Sequence, residues 1–308
     1  MITEKITIGN EYPLDGLLTI PDTGKASYPA VVLVQGSGSS DMDEKIGGIR
    51  PFKDIAEGLA RLGVASIRYN KRSFTYGKQM VKALGNDLTV KEEVIEDAFF
   101  SANFLRGDSR IDPDKIFIIG HSLGGMLAPR IDAEGGNFAG IIILAGSPRR
   151  LEDIMKDQQN EFLSSSKGII KWIAKKQIKK LSDKLDKVAV ISEDEAKQTP
   201  FAGKTSLFYL KEMGAKSPAE YLENSTKPVL VMHGEKDLQV LVDKDFEVYK
   251  KILANNPNAT FKLYPGLNHC FMPSVYNEIG KLMKEYKLER HVEEYVISDI
   301  AEWINAHA

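Results

Sequence analysis

Ile116-Phe117-Ile118-Ile119-Gly120-His121-Ser122-Leu123-Gly124-Gly125 reads as a strand that turns abruptly into a helix. Four consecutive apolar residues suit a strand covered on both faces, and Leu123 to Ile131 continues in a helical pattern. Between them stands Gly-x-Ser-x-Gly. In that setting the glycines have a physical purpose, because they let neighbouring segments approach a serine forced into a strained backbone. Ser122 is then held out at the carboxyl end of a sheet, and the free N–H groups of the helix start face any negative charge that develops beside it. Ser122 is the candidate nucleophile.

Working outward, similar apolar runs occur at Val31 to Val34, Val64 to Ile67, Ile141 to Leu144, Val229 to Met232 and Phe261 to Tyr264. Helical patterns at Pro51 to Arg61, Val90 to Leu105 and Val242 to Leu253 alternate with them, which predicts an α/β class with crossover helices on both sides of a mostly parallel sheet. Lys5 to Ile8 and Leu17 to Ile20, separated by a turn at Tyr12-Pro13 and Asp15-Gly16, predict an antiparallel edge. From Ser147 to Thr226 the alternation stops for about eighty residues, far more than a connection needs. The expected organisation is a core of residues 1–146 and 227–308 interrupted by a helical insertion, 147–226. There Ile170, Ile173, Ile178, Leu181 and Leu185 predict an apolar stripe, with Lys171, Lys175, Lys176, Lys179 and Lys180 forming a solvated basic face.

Composition narrows the functions. The 308 residues, 43% apolar, supply enough material for a large core, and 41 basic against 43 acidic residues leave a net charge of −2. Such a balance creates no overall field for nucleic acid or an anionic membrane, so small molecules are the expected partners. One cysteine, Cys270, excludes an intrachain disulfide and a cysteine zinc cluster and suits a reducing compartment. The first twenty residues carry four charges and no apolar signal core, and the longest apolar runs are strand-sized, so a cytoplasmic protein is expected. Oligomeric state is left open.

A serine needs a base, and there are five histidines. His121 lies inside the turn and should point away from Ser122, while His233 precedes the candidate acid. In the order serine, acid, histidine, the base follows the acid, leaving His269, His291 and His307. His291 and His307 fall in a terminal segment where Val292, Tyr295, Val296, Ile300 and Trp303 form a helical pattern. His269 instead follows a strand through Pro265-Gly266-Leu267-Asn268, at the carboxyl end where catalytic groups gather. Asp237, at the end of another strand, is the favoured acid, with Glu235 as its rival; Asp243 and Asp245 read as helix-start residues. Backbone N–H groups of Leu123 and of Ser37, in the small-residue loop Gln35 to Ser40, are the expected oxyanion donors.

These residues identify the chain as resembling the α/β-hydrolase superfamily of serine hydrolases. Gly36-Ser37-Gly38 with Asp41-Met42-Asp43-Glu44, Arg50-Pro51-Phe52 and Arg68-Tyr69-Asn70-Lys71-Arg72 looks like bacterial carboxylesterases with an H-G-S-G…D-R-D-E…R-Y-D-K-R pattern. Gln35, Met42 and Asn70 depart from it by replacing histidine, arginine and aspartate. The resemblance implies an α/β-hydrolase fold with a helical cap insertion, a Ser122–His269–Asp237 triad, oxyanion groups at Leu123 and Ser37, and hydrolysis of small to medium carboxylic esters without a cofactor or metal. Asp41, Asp43 and Glu44 are expected to pair with Arg50, Lys71 or Arg72 rather than hold a metal, and Cys270 to be structural. A cap leaving the core beside Ser122 would cover it, with Trp172, Phe201, Phe208 and Tyr209 as candidate pocket residues. A thioesterase fits the same triad. So does an amidase or aminopeptidase, with Glu193, Asp194 and Glu195 taking the substrate amine. A non-catalytic receptor would be favoured by a missing triad member.

Overall fold

The computed structural model describes residues 1–201 and 205–308, without the side chains of 169 and 170. The described strands are β1 (Ile2–Ile8), β2 (Leu14–Ile20), β3 (Tyr28–Val34), β4 (Ala65–Tyr69), β5 (Ile111–His121), β6 (Ile141–Leu144), β7 (Val229–Gly234) and β8 (Ala259–Tyr264). They form one sheet in the order β1-β2-β4-β3-β5-β6-β7-β8. The β1/β2 and β2/β4 pairs are antiparallel and all others parallel.

The continuous apolar runs are explained by the two faces they serve. Val32, Val34, Ile118, Ile143 and Val231 pack on one side with α3 (Glu96–Gly107), α4 (Leu123–Ile131) and α10 (Glu247–Ile252). Val31, Leu33, Phe117, Ile119, Ile142, Leu144, Leu230 and Met232 pack on the other with α1 (Pro51–Arg61) and the C-terminal helix α11 (Glu294–His307). Neighbouring residues alternate between two cores, so neither position tolerates a polar side chain. Each side chain fully withdrawn in this way stabilises the fold by about 1.5–3 kcal/mol before entropy is charged against it.

Strand order also decides where a ligand goes. From β3 the chain moves to β4 on one side and then crosses back to β5 on the other, so the direction of winding reverses between β3 and β5. The crevice beyond the carboxyl ends of two such strands is the natural binding position in an open α/β sheet. At those ends stand Gln35-Gly36-Ser37 and His121-Ser122.

Two glycines are required by close approach at this point. A Cβ on Gly120 would lie 2.1 Å from the Gly124 carbonyl oxygen, and one on Gly124 would lie 2.1 Å from that of Val34. Backbone cannot yield there as a side chain would. Gly124→Ala is therefore expected to destabilise the protein by at least the ~1–3 kcal/mol of an overpacked core, read as a lower urea midpoint.

One local expectation needs correction, and one helix was not read from the sequence. Asp15 and Gly16 lie inside β2, not in a turn: Gly16 is paired between Ile6 and Tyr69, where a Cβ would stand only 2.8 Å from the Arg68 carbonyl oxygen. A further helix, α2 (Arg72–Leu84), follows β4; only Arg72 and Met80 are buried in it, so its apolar pattern is weak.

Among the described residues, five helices separate β6 from β7: α5 (Leu151–Ser165), α6 (Gly168–Leu185), α7 (Glu193–Gln198), α8 (Phe208–Met213) and α9 (Pro218–Leu222). In α6, Ile178, Leu181 and Leu185 are the packed positions, whereas Ile173 is 48% exposed; Ile170 is outside the described side chains. At about 100° per residue, Ile173 is rotated well away from the Ile178 face, which the three- and four-residue steps conceal. Among the described residues no helix is long and apolar enough to cross a membrane.

Candidate active site

Ser122 caps α4 with φ +53° and ψ −115°, a conformation that a residue with a Cβ adopts only under constraint. The constraint comes from both sides. Its N–H donates to the Leu144 carbonyl at 2.8 Å, and its carbonyl accepts from Met126 N–H at 3.0 Å, closing the first turn of the helix. The side chain is left partly exposed beside Gly36, where a Cβ would stand 3.2 Å from Ser122 Cβ.

Asp237 and His269 are brought together from the loops after β7 and β8. His269 Nδ1 lies 2.6 Å from Asp237 Oδ2, and both side chains are buried. Asp237 Oδ1 accepts N–H bonds from Gln239 at 2.7 Å and Val240 at 3.1 Å. Burial by itself would raise the Asp237 pKa, but the charge and hydrogen bond of His269, with His233 and the Val240 N–H, outweigh it and hold it below the ordinary carboxylate value. The rival Glu235 is half-exposed and accepts from Gly266 N–H instead. Asp245 is buried against Ser147 and Arg149.

The remaining histidines are occupied elsewhere. His233 Nε2 donates to the Val240 carbonyl at 2.9 Å; His291 is exposed beside Asp54; His307 bonds the Trp303 carbonyl. His121 points away from the cavity that Ser122 lines and is buried between Glu44 Oε1, at 3.0 Å from Nδ1, and the His269 carbonyl, at 3.1 Å from Nε2.

The loop after β3 is tied down by a different set of pairs from those expected. Asp43 pairs with buried Arg68 at 2.9 Å, Glu44 Oε1 accepts Gly36 N–H at 2.6 Å, and Asp41 Oδ1 accepts two backbone N–H groups of its own loop. Lys71 instead donates to the Gly36 carbonyl at 2.9 Å and pairs with Glu93 at 3.3 Å, and Arg72 pairs with Glu96 and Asp97. The parallel-strand register separates these partners, which sequence adjacency cannot show. The departures fit the same frame: Gln35 donates to the Tyr69 carbonyl, and Asn70 Oδ1 accepts Met42 N–H at 2.9 Å.

Ser122 opens onto an apolar cavity of about 440 Å³ lined by Ser37, Leu123 and Met126 from the core and by Leu151, Ile154, Met155, Phe201 and Tyr209 from the insertion. A larger surface cleft of about 580 Å³, around Ala219 and Asn256, shares no lining residue with it. Two of the four aromatic candidates therefore need correction. Trp172 is 74% exposed on α6 and does not line the cavity. Phe208 lies beneath the Lys197 ammonium, 4.6 Å from the ring centroid, and borders a separate surface pocket; the next residue, Tyr209, is turned into the cavity by one helical step.

Glu93, Gln158 and Thr205 are polar side chains in this wall that sequence reasoning missed. Glu93 accepts Ser73 and Tyr209 hydroxyls at 2.9 and 2.7 Å. Burial opposes its charge, yet Lys71 and these hydroxyls hold its pKa below the ordinary value. The i, i+3, i+4 spacing of Leu151, Ile154 and Met155 is the signal that marks the apolar part of the wall.

Cys270 is 1% exposed, and burial pushes its thiol well above the ordinary range, so thiolate is suppressed. Cys270→Ala is expected to retain most of the kcat of any Ser122-dependent turnover. Loss of activity in the folded variant would restore a thiol mechanism.

Comparison with known proteins identifies the family and the fold. The family model described as serine aminopeptidase, S33 (Hydrolase_4), matches residues 36–273. Esterase EstD of Thermotoga maritima is 35% identical over 291 residues, covering 94% of this chain; the chain spans only 65% of that relative's length. Among solved structures, Est1E from Butyrivibrio proteoclasticus superposes with a TM-score of 0.57 at 18% identity, covering 96% of this chain and 99% of that one. The acylaminoacyl peptidase of Pyrococcus horikoshii gives 0.56 at 16% identity, over 99% of this chain and 41% of that one. At such identities the shared property is the fold, which carries esterases and peptidases alike. With its elbow, strand order and extended family match, the chain belongs to the serine aminopeptidase S33 family of α/β hydrolases.

Proposed function

We propose that the protein is a carboxylesterase working through an acyl-serine intermediate, with Ser122 as nucleophile, His269 as base and Asp237 as the acid that orients it. His269 Nε2, the nitrogen Asp237 does not engage, takes the Ser122 proton as Oγ bonds to the ester carbonyl carbon. The tetrahedral oxyanion is received by N–H of Leu123, at the start of α4, and of Ser37; the Gly36 N–H is committed to Glu44. His269 then returns the proton to the departing alkoxide as the C–O bond breaks. Water repeats the cycle, releasing carboxylic acid and restoring Ser122.

The observation that carries this reading is the constrained Ser122 at the mouth of an apolar cavity of acyl-chain size. The relative named an esterase supports it. An aminopeptidase needs a free carboxylate for the substrate amine. Glu193, Asp194 and Glu195 are exposed on α7 and absent from the cavity wall, and the carboxylate that does reach it, Glu93, is already neutralised by Lys71. The test is a panel of p-nitrophenyl esters, acyl-CoA thioesters and aminoacyl anilides. Esters should lead in kcat/KM, and preference for the anilides would overturn the assignment.

In this reading residues 147–226 act as a cap, since α5, Phe201 and Tyr209 complete the wall around Ser122. Met155→Ala and Phe201→Ala are expected to shift preference toward longer acyl chains, by about 1–3 kcal/mol of kcat/KM per methylene of altered fit. Unchanged chain-length profiles in both would remove the cap from substrate selection. A cytoplasmic setting suits the free thiol.

A further inference from the structure

Glu44 and His121 form a buried pair that the proposed chemistry does not use. Both are within a few per cent of complete burial, and Glu44 holds φ +51°, so its position is maintained against backbone preference. Three segments meet at the pair. Glu44 Oε1 accepts Gly36 N–H at 2.6 Å, which fixes the loop presenting Ser37. His121 precedes Ser122 in the elbow. Its Nε2 reaches the His269 carbonyl at 3.1 Å, which fixes the backbone of the base itself.

The partners of the ring decide its charge. A carboxylate and a carbonyl only accept, so both contacts of His121 are hydrogen bonds only when both ring nitrogens carry protons. We propose that His121 is held as an imidazolium by Glu44 and that this ion pair is a positioning device, setting the oxyanion loop, the elbow and the His269 loop in mutual register. This rests on the serine-esterase reading above. Neither side chain reacts with the substrate; each acts through the backbone it holds.

The surroundings agree. Burial alone would lower the His121 pKa, but the Glu44 charge and hydrogen bond, the His269 carbonyl and the more distant Asp237 raise it overall. The other titratable groups facing the pair are the His269 ring, with centroids 4.8 Å apart, the protonated Cys270 thiol and Lys71, which donates to the Gly36 carbonyl. A neutral His121 would leave one of the two acceptors without its proton. Such an unsatisfied buried group loosens the junction it was meant to hold.

The test has a spectroscopic and a kinetic arm. With five histidines, ring-nitrogen NMR of ¹⁵N-histidine-labelled protein is tractable, and His121→Gln identifies the resonances. Wild-type His121 should show two protonated ring nitrogens at neutral pH, and Glu44→Gln should convert it to a neutral ring. Both variants should lower kcat for a p-nitrophenyl ester about 10- to 100-fold, the cost of misplacing catalytic groups by about an ångström, with KM changed far less. A neutral wild-type ring, or kcat within twofold of wild type in Glu44→Gln, would overturn the proposal. Should a variant fail to fold, the wild-type spectrum still decides, together with Glu44→Asp, which keeps the charge but shortens its reach and should also lower kcat. Full ester turnover in Ser122→Ala would instead sink the underlying esterase reading, so the two failures are distinguishable.

Discussion

Ser122→Ala is expected to lower kcat for ester hydrolysis by about 10⁴- to 10⁶-fold while leaving the fold intact. Removing Oγ eliminates the acyl-enzyme route, and only cavity binding and the oxyanion N–H groups remain. Stability should change little, because Ser122 is partly exposed and its constraining hydrogen bonds run through backbone atoms that alanine keeps. A fluorophosphonate should label Ser122 in the native protein and leave the variant unlabelled. Labelling at another serine, or near-normal turnover by the alanine variant, would place the nucleophile elsewhere.

Asp237→Asn should cost about 10⁴ in kcat at neutral pH. The amide oxygen would stay with the N–H groups of Gln239 and Val240, as Asp237 Oδ1 does now, and its NH₂ would then face His269 Nδ1. That forces the imidazole proton onto Nε2, where it blocks acceptance of the Ser122 proton. Stability adds a second reading. Because the folded Asp237 pKa is depressed, its contribution is present above the ordinary carboxylate range, about pH 4, and is lost as pH falls through the folded value. The stability advantage of wild type over Asp237→Asn should therefore narrow on acidification from pH 7 to pH 3, measured by urea unfolding. An advantage that widens would mean the carboxylate is not held ionised by its surroundings.

The site was legible to unequal depths. Ser122, Asp237 and His269 stand out in the sequence because each follows an apolar run long enough to be a strand, and parallel strands deliver their carboxyl ends to one side of the sheet. Chain order set aside His121 and His233, and the helical pattern around His291 and His307 left His269, in a loop after a strand, as the candidate base. The pocket wall was less readable: Trp172 and Phe208 carry the same chemical signal as Phe201 and Tyr209, yet Trp172 stands on an exposed face of α6 and one helical step separates Phe208 from Tyr209 in the cavity wall. Glu93 gave no signal, since a carboxylate early in a helical run reads as surface until Lys71, from a different strand end, is seen beside it.

By itself, then, the sequence determined the α/β class, the two-faced sheet and the elbow, because these follow from short-range rules: periodicity of apolar residues, glycine where backbone must approach backbone, and chain order. Only the tertiary structure decided the charge partners around the loop after β3. Arg68 reached Asp43, Lys71 reached Gly36 and Glu93, and His121 joined Glu44 to the His269 carbonyl. Long polar side chains span several ångströms from any backbone position, so their pairing is fixed by which strand ends the sheet places side by side, and a linear pattern holds no record of that distance.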